Sequence, residues 1–312
     1  MKKIIYTIFI LAFALSSCDN NEIQISNSNK WVNLESNEQL MSLLDQIDEG
    51  KDITNVLPST NFVSLWDIYE TICTSEEAKQ KELMEKYPFA VKITDDESGK
   101  EVKLNLNDKA LAKLLTADGF IKIGTRIIKV EGDVFKEISN GDEALIPTLS
   151  NVSESNPDLH IVVKKIISYQ VMTESNDNRQ KMIETWAYWN GYEYYNSTTR
   201  CNWNKWIDYN AVFNYTDVGA EVTNQHKGWL GWVNWFSSSS YMYLHLYSEY
   251  LYCPNFEYDK WSELMGDTPR LDLTKSGTTN NIRVNKRFSN TDTPSAGHVQ
   301  IDFIYRGTSY EH

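Results

Sequence analysis

Period-two alternation runs through the second half of this 312-residue chain, and it narrows the fold more than any other feature. Met242, Leu244 and Leu246 alternate with Tyr243, His245 and Tyr247, and Val299, Ile301, Phe303 and Tyr305 alternate with His298, Gln300 and Asp302. Successive side chains of a strand point to opposite faces, so each run offers one apolar and one polar face, as a half-buried antiparallel sheet requires. Residues 160–172 are rich in β-branched side chains, and Asp217-Val218-Gly219 and Lys275-Ser276-Gly277 read as turns between strands. These features predict a mostly antiparallel β-sandwich or barrel over residues 159–312.

The first half keeps helical time. Ser36-Asn37-Glu38-Gln39 has the form of a capping box, and Leu40, Leu43, Leu44 and Ile47 follow at i, i+3, i+4, i+7 until Gly50. A second helix begins at Ser64, with Asp67 three residues on and Leu65, Ile68, Tyr69 and Ile72 on one face; a third spans 75–87 and stops at Pro88. A hairpin turns at Glu97-Ser98-Gly99, a short helix covers 108–115, and strands are expected at 120–124, 126–130 and 134–138. Residues 35–138 therefore predict a small α+β domain. The polar, turn-rich stretch 139–158 reads as a linker, and the fold class of the whole is α+β. At 41% hydrophobic residues the chain can supply two cores.

The first residues carry a different message. Met1-Lys2-Lys3 precedes an apolar run over 4–15 and then Ser16-Ser17-Cys18, the n-region, h-region and small-residue cleavage site of a secretory signal. Twelve helical residues reach only about 18 Å, short of the roughly 30 Å of a hydrocarbon core. Leu15-Ser16-Ser17-Cys18 resembles the lipobox of bacterial lipoproteins, which implies that residues 1–17 are removed and Cys18 is lipidated. Residues 18–34 would then form a tether, and two acyl chains would hold the protein on a membrane without a spanning helix. Loss of Lys2 and Lys3 leaves 28 basic against 43 acidic residues. Such a balance disfavours nucleic acid as a partner, because phosphate binding needs clustered cations.

Aromatic residues crowd the stretch 186–261, which holds eight Trp, twelve Tyr and three Phe. Trp229-Leu230-Gly231-Trp232-Val233-Asn234-Trp235-Phe236 is its sharpest part, readable as loop or strand. Exposed, Trp229, Trp232 and Trp235 would form a binding surface, since flat apolar faces with a polar tip suit sugar rings and protein partners. Buried, they would fill a β core. After lipidation Cys73, Cys201 and Cys253 are left. Cys201 and Cys253 share the second predicted domain and form the candidate disulfide, with three free thiols as the alternative.

Chemical motifs are scarce. His160, His226, His245, His298 and His312 sit in no zinc-type spacing, so no metal site is expected. No GxSxG, SxxK, Walker A or GxGxxG occurs, and no cofactor is implied. A carboxylate pair for glycoside hydrolysis is set by space and not by spacing, so 43 acids nominate none.

Leu114-Leu115, Asp118-Gly119-Phe120-Ile121-Lys122-Ile123-Gly124 and Ile127-Ile128-Lys129-Val130, with Phe62-Val63-Ser64-Leu65 upstream, resemble a segment of Bacteroidota (Bacteroides-type) surface lipoproteins of unknown function. The resemblance covers roughly 60–140, rests on turn and strand residues, and implies no activity. Asp directly after the lipidated cysteine resembles an inner-membrane retention signal and the acidic Asp19-Asn20-Asn21-Glu22 a surface-export signal; the family resemblance supports the second reading. The expectation is an outer-membrane, surface-exposed lipoprotein whose β domain is a non-enzymatic module for a glycan or another envelope component. A structural or assembly role in the envelope is the alternative, and a secreted-type hydrolase comes last.

Overall fold

The computed structural model describes residues 31–165, 187–210, 212–213, 215–249, 270–289 and 298–312. Cys18, Trp186, Cys253 and most of the expected tether lie outside them.

Strand β1 (Asn33–Leu34) leads into helix α1 (Asn37–Asp48), whose N-cap Ser36 accepts a bond from the Gln39 amide. The expected box is shifted by one residue, because the Gln39 side chain receives the Glu35 amide. Helix α2 (Leu65–Thr74) carries a full capping box between Ser64 and Asp67, and α3 (Glu77–Lys86) follows. Strands β2 (Val91–Asp96) and β3 (Gly99–Leu104) form the expected hairpin, and α4 (Lys109–Leu114) is capped by Asp108. Strands β4 (Phe120–Ile123), β5 (Arg126–Glu131) and β6 (Val134–Ile138) make the expected meander.

After β6 the chain makes 3-10 turns over Glu143–Asn151 and Pro157–Leu159, then β7 (Ile161–Lys165) pairs antiparallel with β6. The first sheet therefore runs β1-β4-β5-β6-β7, and backbone pairing crosses the stretch 139–158. That stretch is packed, with Leu149 buried and its carbonyl accepting from Lys136 Nζ at 2.8 Å.

The second half supplies β8 (Ala187–Asn196), β9 (Thr199–Asn210), β10 (Tyr215–Gly228), β11 (Gly231–Asn234), β12 (Ser240–Glu249), β13 (Arg270–Thr279), β14 (Asn281–Ser289), β15 (His298–Tyr305) and β16 (Thr308–Glu311). Strand β10 is the trunk of a branched sheet. One edge pairs with β9 from Tyr215 to His226; the other pairs with β14 from Tyr215 to Thr223 and with β11 from Gln225 to Gly228. Strand β11 lies parallel to β3, so the hairpin β2–β3 from the first half joins this seven-stranded sheet. The third sheet is antiparallel in the order β13-β12-β15-β16. Among the described residues no sheet closes on itself, so the architecture is broadly α+β with open sheets.

Two expected turns lie inside strands: Asp217-Val218-Gly219 in β10 and Lys275-Ser276-Gly277 in β13. At Gly219 the reason is packing, since a Cβ there would collide with the Trp206 ring and with Asn285.

Alternation sorts the strands as the sequence indicates. Val218, Ala220, Val222, Ile282 and Val284 face Met242, Leu244, Leu246, Ile301 and Phe303, so the second and third sheets share one apolar core. A second core joins the halves: Leu40, Leu44, Ile68, Ile72, Leu111 and Ile128 pack with Phe213, Tyr215, Leu230 and Val233. Phe135 meets Phe213 edge-on at 5.5 Å.

Candidate functional site

The other face of β10 and β14 is polar yet covered. Asp217, Glu221, Thr223, Gln225, Arg283 and Arg287 are all at least nine-tenths buried on the side away from the apolar core. Buried charge is tolerated only when paired, and here the pairing ties helices to sheet. Arg287 lies 2.6 Å from Asp48 and 3.2 Å from Asp108, and Arg283 donates to Asp217 at 3.0 Å. Asp108 also caps α4 and accepts the Tyr215 hydroxyl at 2.8 Å. Burial acts to raise the Asp108 carboxyl, but Arg287 and Arg283 outweigh it and hold it below the ordinary range.

Above this layer, Lys109 from α4 meets Glu221 of β10 at 2.5 Å, and Asn281 bonds the same carboxylate. Burial would raise Glu221, yet the Lys109 and Arg283 cations keep it below its usual value; burial lowers Lys109. An ionised, paired Glu221 is poorly suited to be a general acid, which needs an elevated pKa.

The β10–β11 hairpin builds the aromatic wall. Trp229 and Leu230 form its turn, and Gly231 adopts φ +107°, with its α-carbon against the Lys100 backbone. That close approach lets β11 lie against β3. The three expected Trp residues then part company. Trp229 is 46% exposed, donates its ring nitrogen to Gln80, and has the Lys81 ammonium 4.8 Å above its ring. Trp235 is half-buried against His226 at 5.4 Å. Trp232 is 3% exposed and is a packing residue: its ring nitrogen donates to the Ser98 carbonyl and its face covers Arg200.

Arg200 is wholly buried, with Tyr192 3.7 Å and Trp232 4.4 Å from its guanidinium carbon. Its Nε donates to Gln225 at 2.8 Å, and Glu101 of β3 lies 3.5 Å away. This stacked cation fastens β3 and β11 to β9 and β10.

Two pockets of about 400 Å³ each share Asn234, Trp235 and Phe236 as a common wall, and the pair is called the groove. The first lies between the hairpin and the end of α2 with the start of α3, and is lined by Trp229, Gln80 and His226. The second is lined by Trp66, Lys109 and Lys113 from the helices and by Glu221, Lys275 and Arg283 from the sheets. Phe236 sits edge-on to Trp66 at 5.9 Å.

No strong nucleophile faces the groove among the described residues. Cys73 lines the first pocket, but burial pushes its thiol up to about 12, and Cys201, in the sheet core, is raised to the same value. Burial lowers His226 and favours its neutral form. The partner expected for Cys201, Cys253, lies outside the described residues. Among the described residues no cluster of three or more His, Cys, Asp or Glu could hold a metal, and no helix is long and apolar enough to cross a membrane. Asp302 lies 3.3 Å from His245 on the neighbouring strand.

Sequence reasoning found Trp229 and Trp235 through the aromatic block. It missed Trp66, Gln80, Lys109 and Arg283, which come from four distant elements and carry no local motif. The one available signal was the polar alternation Asp217, Glu221, Thr223, Gln225, which resembles an ordinary solvent face.

No protein-family model matches the chain, and the search of curated proteins gives no match. Among solved structures it is similar to a DUF4848 family protein from Bacteroides thetaiotaomicron, at 12% identity and TM-score 0.27, over 92% of this chain and 97% of that one. A likeness of that size carries neither fold nor function across.

Proposed function

We propose that the protein is a surface lipoprotein that binds a saccharide in the groove between its helical layer and the β10–β11 hairpin. The observation that carries this reading is the pocket of about 400 Å³ where exposed Trp229 and half-buried Trp235 stand beside Gln80, His226 and Asn234. Flat rings stack on the C–H faces of sugars, and amide and imidazole tips bond hydroxyls, while the volume falls in the roughly 300–1,000 Å³ range of small-molecule sites. The sandwich-like pair of sheets behind the groove acts as a rigid support.

A polysaccharide pull-down with the mature chain tests the reading. Trp229→Ala and Trp235→Ala should each lose at least about tenfold in affinity, about 1.4 kcal/mol, with the thermal midpoint of Trp229→Ala close to wild type. Unchanged binding in both variants would remove the groove from consideration. If nothing binds and a second envelope protein co-purifies, the assembly role stands instead.

The anchor is proposed from Cys18 and the residues before it. Expressed in a Bacteroides host, the wild type should fractionate with outer membrane and be digested by external protease, whereas Cys18→Ala should not be membrane-held. A Cys18→Ala protein that stays in the membrane fraction would sink the lipid anchor.

A further inference from the structure

We infer that the second pocket of the groove receives an anionic sugar residue, its carboxylate or sulfate met by the Arg283 guanidinium and the Lys113 and Lys275 ammonium groups. This rests on the saccharide reading and adds the charge class of the ligand.

The pocket is lined by Lys109, Lys113, Lys275 and Arg283 against Asp48, Glu70 and Glu221. Two of these carboxylates are already engaged, Glu221 by Lys109 at 2.5 Å and Asp48 by Arg287 at 2.6 Å. Lys113 and Lys275 have no acidic partner among the described residues. Lys113 stands 5.5 Å over the Trp66 ring, and Lys275 makes only a 3.4 Å bond to the Asp48 backbone carbonyl.

Arg283 supplies the built part of the site. It is only 9% exposed, and its Nη2 donates to Asp217 at 3.0 Å while Nε lies 3.5 Å from Asp48. Its Nη1 is buried without a hydrogen-bond partner among the described residues. A buried guanidinium with an unmet donor is costly, and an anion seated in the adjoining pocket offsets that cost through charge attraction. On a chain of net charge −13, an excess of cations in a cleft is a local exception that attracts anions. Trp66 in the same pocket adds an apolar wall beside these cations.

Calorimetry on the mature chain separates the outcomes, with four probes: hexagalacturonate, its neutral methyl ester, a sulfated heparin hexasaccharide and neutral xylohexaose. A charged probe should bind about tenfold or more tighter than the neutral ones. Comparison of galacturonate with heparin then distinguishes carboxylate from sulfate. The Lys113→Gln, Lys275→Gln double variant, which leaves the buried ion network intact, should lose that preference while still binding the ester. Equal binding of acid and ester, or a preference that survives the double variant, overturns the anionic assignment and leaves the saccharide reading standing. Absence of binding by all four probes overturns both.

Discussion

Trp229, Trp232 and Trp235 lie within seven residues of each other, yet they end with three different exposures because strand and turn positions point their rings apart. The sequence identified the cluster, and only the neighbours of each ring decided its role. Trp229 stays 46% exposed although Lys81 and Gln80 touch it, whereas Arg200 and Ser98 help enclose Trp232. The cysteines make a similar point at the scale of a single pKa. Cys73 and Cys201 are raised by burial from 9.0 to about 12, so in the folded protein each keeps its proton where the unfolded chain has lost it. The sign follows from linkage: their contribution to stability is fully present below about pH 9 and is lost as pH rises toward 12. In denaturant titrations, each unit above the unfolded thiol pKa should cost about 1.4 kcal/mol per thiol. A Cys73→Ala, Cys201→Ala double variant should show a flatter decline between pH 9 and pH 11. Identical declines would show that burial does not govern these thiols.

Elements were legible where local patterns were strong. Helices α1 and α2 and the meander β4–β6 were each readable from caps, spacing and turn glycines, because the signals lie within a dozen residues. Glycines inside strands misled. Gly219 lies under the Trp206 ring, a contact between neighbouring strands that no turn propensity can report, and so a strand centre read as a turn. Gly231 is a true turn glycine with a second duty, since φ +107° and the Lys100 backbone both exclude a side chain. Gly231→Ala should therefore lower the thermal midpoint, with backbone strain of about 1–3 kcal/mol and displacement of β11 from β3. Because this hairpin carries Trp229, saccharide affinity should fall as well. An unaltered midpoint would mean that β11 does not depend on its contact with β3.

At the scale of the molecule, the two halves are interlocked. Strand β7 completes the first sheet, the hairpin β2–β3 extends the second, and Phe213, Tyr215, Leu230 and Val233 enter the core built by the helices. The candidate groove exists because of this exchange: its walls are helices from the first half and strands from the second. The helices, the alternating strands and the aromatic cluster follow from local patterns in the chain, because each depends on residues close together in it. The sequence also marked Cys18 as the residue through which an anchor would act. Tertiary structure alone decided that β10 branches, that its polar face is covered, and which tryptophans reach solvent. Those outcomes depend on pairs such as Arg287 with Asp48 and Lys109 with Glu221, more than a hundred residues apart, whose complementarity appears only when the sheets meet the helices.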